Sequence, residues 1–193
     1  MAADTKNRMI RAAIGLLQRH GLAAMTFSDV LAESGAARGA IYHHFPDGKQ
    51  QLALEAARRH GEDVRGHLHA LPAQSPREVV EAFLGNVRPV VEASAGGGGC
   101  AIAAVTVDGG AAITDQVGLR AVAAEAFTGW EGELAGKLTD AGMDPSRAAD
   151  LATLMITTLE GAHILCRAAS SVEPFDRAAA ALLSALPAGG LRS

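Results

Sequence analysis

The chain has 193 residues, 49% of them apolar and 4% aromatic, with a formal net charge of −4. That length allows one large domain, or a small one joined to a medium one, with enough chain to bury a core. No apolar run approaches the roughly 20 residues of a membrane span, and the N-terminus, MAADTKNRMIRAA, lacks the apolar centre of a signal peptide. These features point to a cytoplasmic protein with no membrane partner.

Alanine and leucine dominate and β-branched runs are few, which favours an all-α fold. The first helix is predicted over 4–20, with Ile10, Ala13, Ile14 and Leu17 on one apolar face. Asp4 or Thr5 can cap its start, and Gly21 ends it. Thr26 and Asp29 form a capping-box pattern that opens a second helix, with Val30 and Leu31 on its buried side. Gly35 makes a turn, and Ala36 and Ile41 face inward from a third short helix. Pro46-Asp47-Gly48 breaks the chain before a long helix over 49–69.

Beyond Leu71-Pro72 the pattern is of longer helices, over 76–93, 114–141, 145–170 and 174–186. Asp144-Pro145 and Glu173-Pro174 mark two starts, with proline in the first turn. Four consecutive glycines, Gly96 to Gly99, interrupt the series. Residues 101–107, AIAAVTV, fit strand or helix on pattern alone; the helical surroundings favour a helix or an irregular turn.

The charge is unevenly placed. Residues 1–60 hold eight Lys/Arg against five Asp/Glu, and residues 61–193 hold nine against sixteen. A mildly basic N-terminal part on an acidic remainder suits a DNA-binding module attached to something else. A recognition helix needs small or polar side chains toward base edges, with phosphate contacts on either side. Arg38, Gly39 and Ala40 stand at the start of the third helix, beside Tyr42, His43 and His44. Arg38 suits bidentate contact with guanine, and Gly39 and Ala40 allow close backbone approach. Tyr42 offers its hydroxyl to a phosphate or its ring to a thymine methyl, while Thr26 and Lys49 lie at helix N-termini, where an anion is favoured. The plainer reading is a helical hairpin with a surface Tyr-His cluster. However, Tyr42, His43 and His44 cannot all be buried on one short helix, and an exposed Tyr-His pair usually contacts something.

At Gly35-Ala36-Ala37-Arg38-Gly39-Ala40-Ile41-Tyr42-His43-His44-Phe45, followed by Lys49 and Leu52, the chain resembles the TetR family of transcriptional regulators. The resemblance covers about residues 8–55. It implies an all-α homodimer: an N-terminal three-helix helix-turn-helix domain over 1–48, then a helical ligand-binding and dimerisation domain over 49–193 connected through helix 49–69. It further implies a palindromic double-stranded operator, and repression relieved by a small-molecule inducer. Two departures stand out. Ala37 replaces the family's common serine, and one extra residue lies between Phe45 and Lys49. That inserted Gly48, with Gly99-Cys100-Ala101-Ile102 and Leu159-Glu160-Gly161-Ala162 before Arg167-Ala168, is similar to the LmrA/YxaF branch. That branch is associated with drug-resistance and efflux genes, and several of its members respond to aromatic ligands.

A ligand pocket needs apolar walls and a few polar anchors. Phe83, Val87, Val105, Phe127, Trp130, Leu134, Met155, Leu159 and Leu165 are candidate walls, and Cys100, Thr106, Asp108, Thr158 and His163 candidate anchors. Each apolar one has plain core as its competing role. His163 and Cys166 share a helix face, but one pair makes no metal site, and no cofactor is expected. His67 and His69 diverge on a helix, and the glycine run lacks the Lys-Ser/Thr of a phosphate loop. Alternatives to ligand sensing are a thiol-based redox-sensing regulator using Cys100 and Cys166, or a small enzyme with Cys100 or His163 catalytic. No acid/base pair at helical spacing supports the enzyme. Ala152, Leu159, Ala162, Ala178, Leu182 and Leu186 are candidates for a dimer interface on the last two helices.

Overall fold

The computed structural model describes residues 2–107 and 116–186. Among them the chain forms helices and no strand: α1 (Ala2–Ala24), α2 (Phe27–Ser34), α3 (Arg38–His44), α4 (Gly48–His69), α5 (Pro76–Ala95), α6 (Ala101–Val107), α7 (Gln116–Asp140), α8 (Pro145–Ala169) and α9 (Glu173–Ala185). Two compact units emerge. One comprises residues up to 63 with 99–127, and the other comprises 64–98 with residues from 128 onward. The divisions fall within α4, between α5 and α6, and within α7.

In the first unit α1 packs against α2, α3 and α6. Its buried arc is Met9, Ile10, Ala12, Ala13, Leu16 and Leu17. Ile14, expected on that face, is only half-buried. The arc is wider than a single i, i+3, i+4 stripe because three helices cover α1. The helix also begins earlier than its capping residues suggest. Asp4 lies inside the first turn and pairs with Arg8 one turn on, at 3.5 Å. Gly21 breaks the regular helix with φ 76° and ψ 175°, a conformation that side chains with a Cβ rarely adopt. Leu22 and Met25 then turn into the core.

The ambiguous segment 101–107 is helical. Ala101, Ile102 and Val105 are buried with the spacing of one helix face, and Ala104 donates its N–H to the Cys100 carbonyl at 3.0 Å. Packing of this face against α1 decides between the two patterns.

In the second unit α5 packs on α8 and α9, and α8 on α9. Ser75 caps α5 by accepting from the Glu78 N–H, and Asp144 caps α8 by accepting from the Ser146 and Arg147 N–H groups. The core holds Val79, Val80, Phe83, Leu84 and Val91 from α5, Trp130, Leu134 and Leu138 from α7, and Phe175 and Leu182 from α9. Burying one such aliphatic or Phe side chain stabilises the fold by about 1.5–3 kcal/mol. A bidentate ion pair, Arg88 Nε and Nη2 to Asp176 at 2.9 and 3.0 Å, ties α5 to α9 at the surface.

Helix α8 departs from expectation at both of its apolar faces. Ala152, Leu159, Ala162 and, on α9, Leu182 are buried within the chain itself. Leu165, expected to line a pocket, is 58% exposed, alongside Ile164 at 71% and Leu154 at 50%. Leucine and alanine stand on both sides of this helix, so periodicity alone does not show which side α5 covers.

Candidate nucleic-acid interface

Helices α2 and α3 and the turn between them are built by caps. Thr26 is the N-cap of α2, in an extended conformation. Its hydroxyl accepts from the Asp29 N–H at 3.2 Å and donates to Asp29 Oδ2 at 2.6 Å. The N-cap half of the expected capping box is therefore formed, while the Asp29 carboxylate accepts from the Thr26 hydroxyl rather than from its backbone N–H. This also places a carboxylate at the end of α2 where a phosphate would sit, so Thr26 is first of all a cap.

Gly35 ends α2 in the left-handed region at φ 63°, donating its N–H to the Leu31 carbonyl at 3.0 Å. Arg8 braces this turn from α1, its Nη1 donating to the Ser34 carbonyl at 2.7 Å. Ala37 then takes the N-cap position of α3 with no side chain to bond the helix N–H groups. Replacing Ala37 with serine is expected to stabilise the fold by about 0.5–2 kcal/mol, read as a rise in the urea midpoint without a change in slope.

Helix α3 divides cleanly into two faces. Ile41 and Phe45, one turn apart, are both fully buried. Arg38, Gly39 and His43 are exposed, Ala40 and His44 are half-buried, and Tyr42 is 64% exposed. No heavy atom lies within 4 Å of where a Gly39 Cβ would stand, so that stretch of backbone is open to approach. The Tyr42 ring meets Phe27 edge-on, with centroids 5.7 Å apart, and the His43 and His44 rings meet at 5.1 Å. The predicted contact residues Arg38, Gly39, Tyr42 and His43 thus share one exposed surface.

Lys49 stands in the first turn of α4, after Gly48 at φ 78°. Its ammonium donates to the Ala23 carbonyl at 3.0 Å. Partial burial pushes its pKa down from the usual lysine value. One proton is committed to the protein, and the ammonium geometry leaves two. Lys6 secures the same region, pairing with Glu55 at 2.7 Å and lying 5.6 Å from the Phe45 ring centre.

The predicted ligand residues fall in both units. In the second, Phe83, Trp130, Met155 and His163 are buried, and Ser94 Oγ lies 2.6 Å from His163 Nδ1. In the first, Cys100 is buried and Phe127 half-buried. Asp108 lies outside the described residues. A cleft of about 420 Å³ in the second unit is lined by Arg65, His69, Gly129, Gly132, Glu133, Gly136, Lys137 and Asp140, none of them a predicted ligand residue. Cys100 and Cys166 are both buried, and neither is in a disulfide. Sequence reasoning missed Phe27, Arg8 and Ser94. The first two lie beside recognised motifs, but Ser94 finds its partner 69 residues away, with no local signal.

A model of the N-terminal region of bacterial regulatory proteins of the tetR family matches residues 9–56. A model of the C-terminal domain of LmrA/YxaF-like transcriptional regulators matches residues 76–181. An HTH-type transcriptional regulator of Mycobacterium tuberculosis is 36% identical over 174 residues, 89% of this chain and 88% of its own length. The HTH-type transcriptional regulator LmrA of Bacillus subtilis is 27% identical over 173 residues, 89% of this chain and 90% of its own. The crystal structure of a TetR transcriptional regulator from Chloroflexus aurantiacus superposes with a TM-score of 0.76 at 26% identity, covering 95% of this chain and 94% of that one. The exposed face of α3, the capped turn before it and these matches together make the chain a member of the TetR family of transcriptional regulators, DNA-binding proteins and not enzymes.

Proposed function

We propose that the protein is a repressor that binds a palindromic operator as a homodimer and is released by a small, largely apolar or aromatic molecule. The observation that carries the DNA-reading part is the outward face of α3, where Arg38, Tyr42 and His43 are exposed while Ile41 and Phe45 anchor the helix from behind. Arg38 reads a base edge in the major groove, Tyr42 and Lys49 hold phosphates on either side, and Gly39 and Ala40 let the helix backbone come close. Thr26 contributes as the cap that fixes α2.

The homodimer reading is supported by the exposed apolar residues Leu154, Ile164 and Leu165 of α8, which a second copy would cover. Two reading helices then meet half-sites about 34–36 Å apart, or a multiple of that. The inducer acts by binding the DNA-incompetent state more tightly, with α4 as the connector. Its apolar or aromatic character is inferred from the LmrA/YxaF-like C-terminal domain and from the aromatic and aliphatic interior of the second unit.

The test begins with a duplex that the full-length protein retrieves from a randomised pool. Tyr42→Ala and Lys49→Ala are each expected to weaken binding to it while sedimentation still finds a dimer; a variant that unfolds would place its residue in the core instead. A thermal-shift screen of aromatic compounds then seeks those that raise the melting temperature. A stabilising compound that leaves DNA affinity unchanged would count against the inducer reading.

A further inference from the structure

We infer that Phe27 is a positioning residue for DNA recognition, holding the Tyr42 ring in the orientation in which it meets the DNA backbone. Tyr42 is 64% exposed, so burial does not fix its side chain. Among the described residues its ring has one aromatic neighbour, Phe27, met at 5.7 Å with the planes 79° apart, the edge-to-face arrangement that aromatic pairs prefer.

Phe27 is well placed to act as a stop. It is the first residue of α2 and half-buried. The preceding residue, Thr26, is held by both hydroxyl bonds to Asp29 and by its carbonyl, which accepts from the Val30 N–H at 3.1 Å. The ring therefore meets Tyr42 of α3 from the capped first turn of α2. Val30 of α2 and Ile41 of α3 are both fully buried, and the Phe27–Tyr42 contact joins the two helices on the outside.

A tyrosine with two free side-chain torsions must be ordered when it binds, and the affinity falls by the fraction of time it spends in the competent rotamer. Phe27 raises that fraction before DNA arrives. The inference rests on the reading that Tyr42 touches DNA.

The test is a double-mutant cycle in the full-length protein, with the duplex retrieved from a randomised pool as probe. Phe27→Ala is expected to weaken binding about two- to tenfold, the range an aromatic pair supports. In a Tyr42→Ala background the same change is expected to have no further effect. Phe27→Leu, which keeps apolar bulk without a ring, should behave like Phe27→Ala, and Phe27→Tyr should retain wild-type affinity. Equal losses in both backgrounds would make Phe27 a structural residue of α2 and overturn the inference. A silent Phe27→Ala beside a damaging Tyr42→Ala would overturn it while leaving the Tyr42 contact standing. A silent Tyr42→Ala would overturn both, and so mark the failure of the contact itself.

Discussion

Trp130→Ala is expected to lower the unfolding free energy by about 3–5 kcal/mol, the range for deleting a large buried aromatic. Trp130 is the only tryptophan and is 1% exposed in the core of the second unit. Its removal takes away apolar surface and leaves a cavity in a close-packed core, which relaxes only in part. A loss of this size is a large part of the stability of an ordinary domain. The measurement is urea unfolding followed by far-ultraviolet circular dichroism, since the variant lacks the fluorescent residue. Protomer concentration must be held constant, because the proposed dimerisation would add to apparent stability. A loss below about 1 kcal/mol, within the reach of a surface substitution, would mean that Trp130 is not packed as core.

Arg38→Ala carries the largest expected effect on recognition. A bidentate arginine–guanine contact discriminates by about 1–3 kcal/mol, roughly five- to 150-fold. The loss should fall on one base position in each half-site and leave the others as selective as before. Competition binding against duplexes with single-base changes separates the possibilities. A uniform loss over all sequences, with a shallower salt dependence, would move Arg38 from base reader to phosphate contact. Fold stability should change little, because the side chain is exposed at the head of α3.

Much of the DNA-reading head is legible in the sequence because its physics is local. Thr26 and Asp29 cap α2 by bonds within one turn, Gly35 is needed at a positive φ, and the missing hydroxyl at Ala37 shows as a missing bond. Ile41 and Phe45 are inward by simple helical spacing. The second unit is less legible because its long-range packing is not local. Leu159 and Leu165 are both leucines on α8, yet one is buried and the other 58% exposed, a difference set by where α5 and α9 lie. The bond between Ser94 and His163 joins helices 69 residues apart. Phe27 is intermediate: its place in α2 follows from the cap, but its contact with Tyr42 depends on how α3 crosses α2.

The central claim, that this face binds the DNA backbone and reads bases through α3, is tested most directly by the salt dependence of operator binding. Wild-type affinity for the retrieved duplex should fall steeply and linearly in a plot of log affinity against log salt, as released counterions require. Lys49→Ala should weaken binding to all sequences alike and make that slope shallower by about 1. Binding that is insensitive to salt, or a Lys49→Ala slope equal to the wild-type slope, would contradict the placement of the DNA backbone against this face.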